Sequence, residues 1–510
     1  MTTRPSLRLK HLAACSLTLL LGACAVGPDY QRPDIDLGQA YKESARASDA
    51  DAAANRGWIQ VRPADAMLRS DWWLMFNDPV LTDLMQRLQE SNLSVVQAEA
   101  QYRQAQALLQ SARSGFFPVL GSSASATRSG SGASDTAGGQ GVGNQYSLTG
   151  NVSWEPDLWG KVRRSVESSR AGVQASAADV AATRLSMQST LAQTYFRARV
   201  MDAETRLLRQ TVEAYERSLA MTQNRYSAGV AAQADVEVSR TQLENARTQL
   251  LGLEWQRAQL EHAIAVLLAL PPSAFSLQET RDLASVPVIP VGLPAQLLQR
   301  RPDVAAAERR AAEANARIGV AQAAWFPDLT LSAQGGYRAA EFASWIMAPA
   351  RFWTLGPALA ASVFDGGARA AAVASARAAY DAQAAAYRKT VLDALREVED
   401  ALVQTQALAE EQAARDRALA AARETLRQVT NQYRAGLVDY LSVVQAQTSA
   451  LSAEQTSLDV RAERLTASAQ LIAALGGGYS ADPAPSAAQA GPADSAAVPA
   501  GPADPAAAVN

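Results

Sequence analysis

Two periods alternate along this chain of 510 residues. In four short segments apolar residues recur at every second position. Tyr146, Leu148, Gly150, Val152 and Trp154 alternate with Ser147, Thr149, Asn151 and Ser153, and Leu329, Leu331, Ala333 and Tyr337 alternate with Thr330, Ser332 and Gln334. Trp353, Leu355, Leu359 and Val363 line one face of a third segment, and Val119 to Arg128 forms a weaker fourth. Period two with one apolar face predicts half-buried strands. Strands of about ten residues with aromatics at their ends have the dimensions of a transmembrane β-barrel. A soluble sheet packed on helices is the alternative. The strands pair into two hairpins, one closed by a Gly/Ser-rich loop near 128–145 and one by a loop near 338–351. Four strands cannot close a barrel, and an open edge cannot sit in lipid. Closure therefore needs several chains, two for eight strands or three for twelve.

Elsewhere the period is helical. From Gly160 to about Tyr226 there is no proline and only Gly172 interrupts, and from about Ala368 to Tyr433 there is neither proline nor glycine. At 1.5 Å per residue each run would extend roughly 100 Å, so these rods must pack lengthwise. Breaks at Gly229 and Gly436 lead into return helices that carry heptads. Val236, Leu243, Leu250 and Ile264 share one register, which Arg257 interrupts, and Ala246, Leu253, Leu260 and Leu267 share another. Leu451, Leu458, Leu465 and Ile472 repeat the spacing in the second half. The pattern predicts coiled-coil packing. Two shorter helices are expected. One runs from Pro79 to about Ser114 with Asp78 as N-cap, and the other covers about 294–324, with Arg301-Pro302 as a start or a kink.

The chain also repeats itself. Phe117-Pro118 recurs as Phe326-Pro327 (326 − 117 = 209), Asp157 as Asp365 (208), and Asn224 to Gly229 as Asn431 to Gly436 (207). A period this long indicates two copies of one elongated module, not a short solenoid repeat. The expected division is 1–23 signal peptide, 24–70 N-terminal segment, 71–270 first repeat, 271–293 linker, 294–478 second repeat and 479–510 tail.

Arg4, Arg8 and Lys10 precede a short apolar stretch ending at Leu21-Gly22-Ala23-Cys24. This is too short to span a membrane as a helix and reads as a cleaved export signal. Its last four residues resemble a lipobox, which makes Cys24 the expected site of lipidation. Cys15 leaves with the signal, and a lone exported cysteine cannot form an intrachain disulfide. Ala25, where an inner-membrane retention aspartate would stand, implies the outer membrane. Residues 25–70 are polar and proline-punctuated, and the Ala/Pro-rich tail cannot build a core.

Charge and composition remove other classes. Losing three of 47 basic residues leaves 44 against 50 acidic ones, which argues against a nucleic-acid partner. His262 alone remains among histidines and, on an apolar helical run, reads as structural. No metal site, cofactor motif or nucleophile elbow is present, so no enzyme is expected. A coiled-coil lipoprotein scaffold without a pore would account for the helices and the lipid, yet would leave the alternating strands without a role.

The residues resemble a known family. Cys24 to Tyr30 (CAVGPDY), Trp72-Trp73 with Phe76-Asn77-Asp78-Pro79, Leu297 to Val304 (LLQRRPDV) with Ala307-Glu308, and Ile318 to Ala321 leading to Phe326-Pro327 look like the lipoprotein (NodT-type) branch of TolC-like outer-membrane efflux proteins. The resemblance implies a mainly α homotrimer: a twelve-stranded barrel in outer-membrane lipid, continued by a periplasmic α-helical tunnel. It also implies a periplasmic adaptor and an inner-membrane pump, usually of the resistance-nodulation-division class. A protein-secretion exit duct is the alternative within this class. By the same resemblance the two Tyr-x-x-Gly turns are periplasmic tips. Tyr226, Gly229, Val230, Gly436 and Leu437 are then candidates for adaptor docking, and Asp235 and Tyr433 for the aperture gate. Where some members carry acids on the second return helix, this chain has Ser442 and Gln445, with Asp439 as the nearby acid and the third gate candidate.

Overall fold

The computed structural model describes residues 26–35, 41–42, 71–130, 142–280, 283–287, 289 and 300–477. Cys24, the signal segment and the tail lie outside the described residues. In chain order the elements are α1 (Pro79–Ser91), α2 (Leu93–Ser114), β1 (Val119–Gly130), β2 (Val142–Trp154), α3 (Lys161–Ser227), α4 (Gln233–Leu267), α5 (Pro302–Ala323), β3 (Asp328–Ala339), β4 (Arg351–Ala360), α6 (Ala368–Arg434) and α7 (Tyr440–Ala474). The repeat is visible in the lengths. Both α3 and α6 have 67 residues, α4 and α7 have 35, and α2 and α5 have 22.

Local chemistry starts each rod. Gly160 and Gly367 precede α3 and α6 in the left-handed region and offer no side chain as a cap. Asp157 supplies it for α3, accepting from the backbone N–H groups of Val162 and Arg163, both at 2.9 Å. Asp365 does the same for α6 through Gly367 and Arg369. The matching aspartates of the sequence repeat are therefore helix caps, each satisfying otherwise orphaned N–H groups.

Three expectations change, and one open alternative, at Arg301-Pro302, is resolved. The helix expected over 79–114 is two helices, because Asn92 leaves helical geometry at ψ 122°. Its side chain accepts from Ser94 and Val95 N–H and donates to the Leu267 carbonyl at 2.7 Å, which fixes the break. Pro302 starts α5, so Arg301-Pro302 is an entrance and not a kink. Val363 lies beyond β4, almost wholly exposed. His262, expected on a packed face, is exposed instead, since the packed positions around it are Ile264 and Ala265.

The core lies partway along the rods. Trp72, Trp73 and Phe76 pack with Leu81, Met85 and Leu88 of α1 against Leu191, Tyr195 and Phe196 of α3, closed by Ile264 and Ile472 of the return helices. Trp72 Nε1 donates to Gln188, and the Tyr195 hydroxyl donates to Asp78 at 2.7 Å. Arg257, the interruption in the heptad, has a partner. It donates to buried Asp202 at 2.8 Å, which also receives Arg199, and it holds Glu261 and the Leu277 carbonyl. A buried carboxylate on α3 therefore requires a cation at that heptad position. From this core the hairpins α3–α4 and α6–α7 extend away from the sheet.

Candidate functional site

The four strands form one antiparallel sheet in the order β1-β2-β3-β4. Its register decides what each face can touch. Leu120 pairs with Val152, Ala124 with Leu148, Ala126 with Tyr146, Val152 with Ala333, Leu148 with Tyr337, Ala333 with Leu355 and Leu329 with Leu359. Since directly paired residues point to one side, the apolar positions of all four strands share a face. Ser123, Ser125, Ser147, Thr149, Asn151, Ser332, Gln334 and Thr354 share the other. Leu120, Trp353, Leu355 and Leu359 are at least two-thirds exposed on the apolar face. A four-stranded sheet with one uncovered apolar face, one polar face and two unpaired edges is a segment of a membrane barrel. No described helix is long and apolar enough to cross a membrane.

Aromatic side chains collect where strands meet helices. Trp159 stacks on Phe326 at 4.9 Å and donates to the Pro327 carbonyl, and Trp154 donates to the Phe116 carbonyl. Phe117, Trp325 and Phe364 are exposed beside them. An extended strap, residues 26–35, begins at this level, with Val26 N–H donating to the Trp159 carbonyl at 3.1 Å. Buried Arg164 holds the strap through the Val26 and Gly27 carbonyls and Asp29. Asn315 donates to the Pro28 carbonyl, the Tyr30 hydroxyl lies against Glu308, and Arg32 donates to Tyr387. Gly27 and Gly319 meet so closely that a Cβ on Gly27 would lie 2.5 Å from Gly319 Cα. Nothing in the polar, proline-punctuated segment pointed to this seat. Gly319, within an otherwise regular helix, was the available signal.

At the far end of the rods both hairpins turn in the same way. Gly229 (φ 74°) and Gly436 (φ 76°) occupy the left-handed region. Val230 N–H reaches the Arg225 carbonyl and Gly229 N–H the Tyr226 carbonyl, with Leu437 to Gln432 and Gly436 to Tyr433 in the second hairpin. This is the Schellman arrangement, in which glycine avoids the cost of a Cβ at positive φ. It leaves Val230 and Leu437 outermost, 64% and 75% exposed, and Tyr226 half-exposed.

The three candidate gate residues are not equivalent. Tyr433 is buried between α3 and α7: the Arg225 guanidinium lies 4.7 Å from its ring centre and the Tyr440 ring 5.6 Å away. Burial first, and Asp235 and Tyr440 next, push the Tyr433 hydroxyl above its ordinary range, against the lowering influence of Arg225. Asp235 accepts from the Ala232 N–H at 3.3 Å, a cap at the start of α4. Asp439 caps α7, accepting from both the N–H and the hydroxyl of Ser442, which hold its carboxyl below the usual range. Two partners were not anticipated, Arg225 and Tyr440. The Tyr440 hydroxyl lies 3.0 Å from Ser218 Oγ and accepts from Ser239 Oγ, so one side chain ties α7 to both α3 and α4. The signal for Arg225 lay in the repeat itself. Its counterpart is Gln432, and the second tip carries its arginine two residues later, as Arg434 at the counterpart of Ser227.

Known proteins share this architecture. A family model described as outer membrane efflux protein matches residues 84–270 and 293–477. The toluene efflux pump outer membrane protein TtgC of Pseudomonas putida is 29% identical over 480 residues, 92% of this chain and 96% of that protein. The pyoverdine export outer membrane protein OpmQ of Pseudomonas aeruginosa is 30% identical over 481 residues, 93% and 98% of the two chains. The solved outer-membrane channel OprN superposes with a TM-score of 0.80 at 31% identity, covering 89% of this chain and 99% of its own. In this architecture three chains close a shared barrel of twelve strands over a helical tunnel, each chain giving a four-stranded sheet. The chain belongs to the outer membrane efflux protein family.

Proposed function

We propose that the trimer is the outer-membrane exit duct of a tripartite efflux system, passively conducting small molecules delivered by an inner-membrane pump through a periplasmic adaptor. The observation that carries this reading is the continuity of one chain from a sheet with a single apolar face, through 67-residue rods, to paired turns that expose Val230 and Leu437. Small apolar knobs at the ends of rigid hairpins suit an adaptor's helical ends. The pump class we favour is resistance-nodulation-division, on the family likeness.

The gate we assign lies at the tips, with Asp235 and Asp439 toward the aperture and Tyr433 packed behind them. Tyr433 serves by holding Arg225 and Tyr440 in a closed cluster, while its own hydroxyl has no hydrogen-bond partner among the described residues. Opening is a splaying of hairpins as the adaptor engages. Cys24 is lipidated, a reading supported by its lipobox sequence and by Val26, two residues on, being held to the Trp159 carbonyl where strands meet helices.

The test is adaptor-dependent flux. Proteoliposomes holding the trimer should release a trapped small dye faster once the cognate adaptor is added, and Val230→Asp with Leu437→Asp should abolish the increase. Flux indifferent to the adaptor would refute the docking assignment. Release of unfolded polypeptide but not dye would favour the secretion duct.

A further inference from the structure

The loop joining β3 to β4 does something that neither a duct nor its tips require. It leaves β3 at Ala339 and returns at Arg351 through two short turns, Phe342–Ser344 and Ala348–Ala350. The helices enter and leave the sheet at the opposite end, so this loop lies at the end facing away from the periplasm. It folds back onto the sheet. Phe342 and Trp345 pack on Tyr146 with ring centres 5.5 and 6.0 Å away, and on each other at 5.8 Å. Tyr146 belongs to the apolar face, in line with Leu148 and Val152. The loop therefore covers the outside of the barrel wall, over lipid, and not the mouth of the pore.

Apart from Glu341, exposed at its start, what it presents there is apolar. Phe342, Ile346 and Met347 are 68%, 62% and 55% exposed, and they extend the membrane-facing surface by one further tier. Such a cluster in water would be an aggregation liability. At the water–lipid boundary it is an anchor. The same face carries cations at this end. Arg351 shares its side with Trp353 and Leu355, and Arg128 shares its side with Ala126 and Ala124. Neither has an acidic partner among the described residues. Closing β4 of one copy against β1 of the next brings Arg351 and the neighbouring Arg128 to one rim. Arg338, on the polar face, is occupied differently, stacked 4.7 Å from the Phe352 ring centre. A guanidinium on a lipid face is tolerated only near the interface, where lipid phosphates are its natural partners.

We infer that residues 340–350, with Arg351 and the adjacent copy's Arg128, form a docking surface for the phosphate-bearing glycolipid of the outer leaflet. Phe342, Ile346 and Met347 enter the acyl–headgroup boundary, and the two guanidiniums pair with headgroup phosphates. This goes beyond the duct assignment and rests only on the sheet being a membrane barrel.

The test uses the full-length trimer in lipid nanodiscs and two probes, diphosphorylated lipid A and its enzymatically dephosphorylated form, with retained glycolipid read by mass spectrometry after exchange into phosphatidylcholine. Wild type should retain the phosphorylated form roughly tenfold more, the contrast expected of a few charge-assisted hydrogen bonds. Arg128→Ala with Arg351→Ala should remove that preference, and Ile346→Asp should lower retention of both forms. Equal retention of the two probes by wild type would overturn the inference, as would equal displacement of lipid A by millimolar inorganic phosphate. A polarity-sensitive dye on Ile346→Cys guards against misfolding of the charged variant. Its emission should shift to the blue and resist iodide quenching in the bilayer, and a dye fully open to iodide there would equally overturn the inference. Dye flux through the duct, governed at the distant tips, serves as the control for an intact trimer.

Discussion

Replacing Arg225 by alanine together with Tyr440 by phenylalanine should loosen the hairpin-tip end while leaving the rest of the chain intact. Tyr440 loses two hydroxyl contacts, to Ser218 at 3.0 Å and to Ser239, each worth about 0.5–1.5 kcal/mol net. Ser239 is almost fully buried and keeps only a 3.5 Å contact to Thr222, which puts its loss toward the upper end. Arg225 loses its position over the Tyr433 ring, about 0.5–1 kcal/mol at a partly exposed site. A conservative total of about 2 kcal/mol per protomer shifts the splayed-to-closed ratio by roughly 30-fold. The assay is entry of a bulky antibiotic into cells that carry the variant as their only duct of this kind, with oligomer abundance measured in parallel. Leak should rise by about that factor while the closed state still dominates. Tyr433→Phe, which keeps the ring, should leak far less than Tyr433→Ala. Unchanged entry at normal oligomer levels, or equal leak from the two Tyr433 variants, would refute the ring-centred lock.

Three further outcomes follow from particular contacts. Gly336→Val should prevent oligomer formation, because its Cβ would lie 2.0 Å from the Leu148 carbonyl oxygen, whereas Gly356→Val meets nothing within 4 Å and should assemble; gel mobility of unheated samples checks both. Gly229→Ala and Gly436→Ala meet no atom either, so each should cost only the left-handed penalty of about 1 kcal/mol, seen as a small fall in thermal midpoint that Gly→Asn reduces. Glu204 is pushed up to about 8 by burial and by its hydrogen bond and charge interaction with Asp459. A raised acid binds its proton more tightly when folded, so stability should fall as pH climbs from about 4.5 to about 8. Glu204→Gln should flatten that decline in thermal unfolding measured across this range, and an unaltered pH profile would remove Glu204 as its source.

The sheet was legible because lipid on one side and an aqueous lumen on the other impose strict alternation. Tyr146 to Trp154 displays it without reference to any other segment. The rods were legible because proline and glycine are nearly absent from them. What escaped was set by pairing across long separations. Asn92 looks like any polar helix residue until the Leu267 carbonyl is beside it. Arg257 looks like a flaw in a heptad until Asp202 is placed opposite. The tip lock joins Arg225 to Tyr433 and Ser218 to Tyr440, partners some two hundred residues apart, and only the mismatch of Arg225 with Gln432 between repeats hinted at it. The strap was hidden for a related reason. Its hold depends on backbone carbonyls received by Arg164 and on two glycines in contact, neither of which leaves a hydrophobic pattern. Val363 and His262 erred the other way, since each continued a periodic pattern past the partner that gave the pattern meaning.

Single-channel conductance across a planar bilayer, recorded from purified trimer beside the Arg225→Ala, Tyr440→Phe variant, tests the duct most directly. Wild type should show small, cleanly resolved openings and the variant clearly larger or longer ones. A folded, inserted trimer that passes no current in either form would contradict a conduit and return the helices to a scaffolding role.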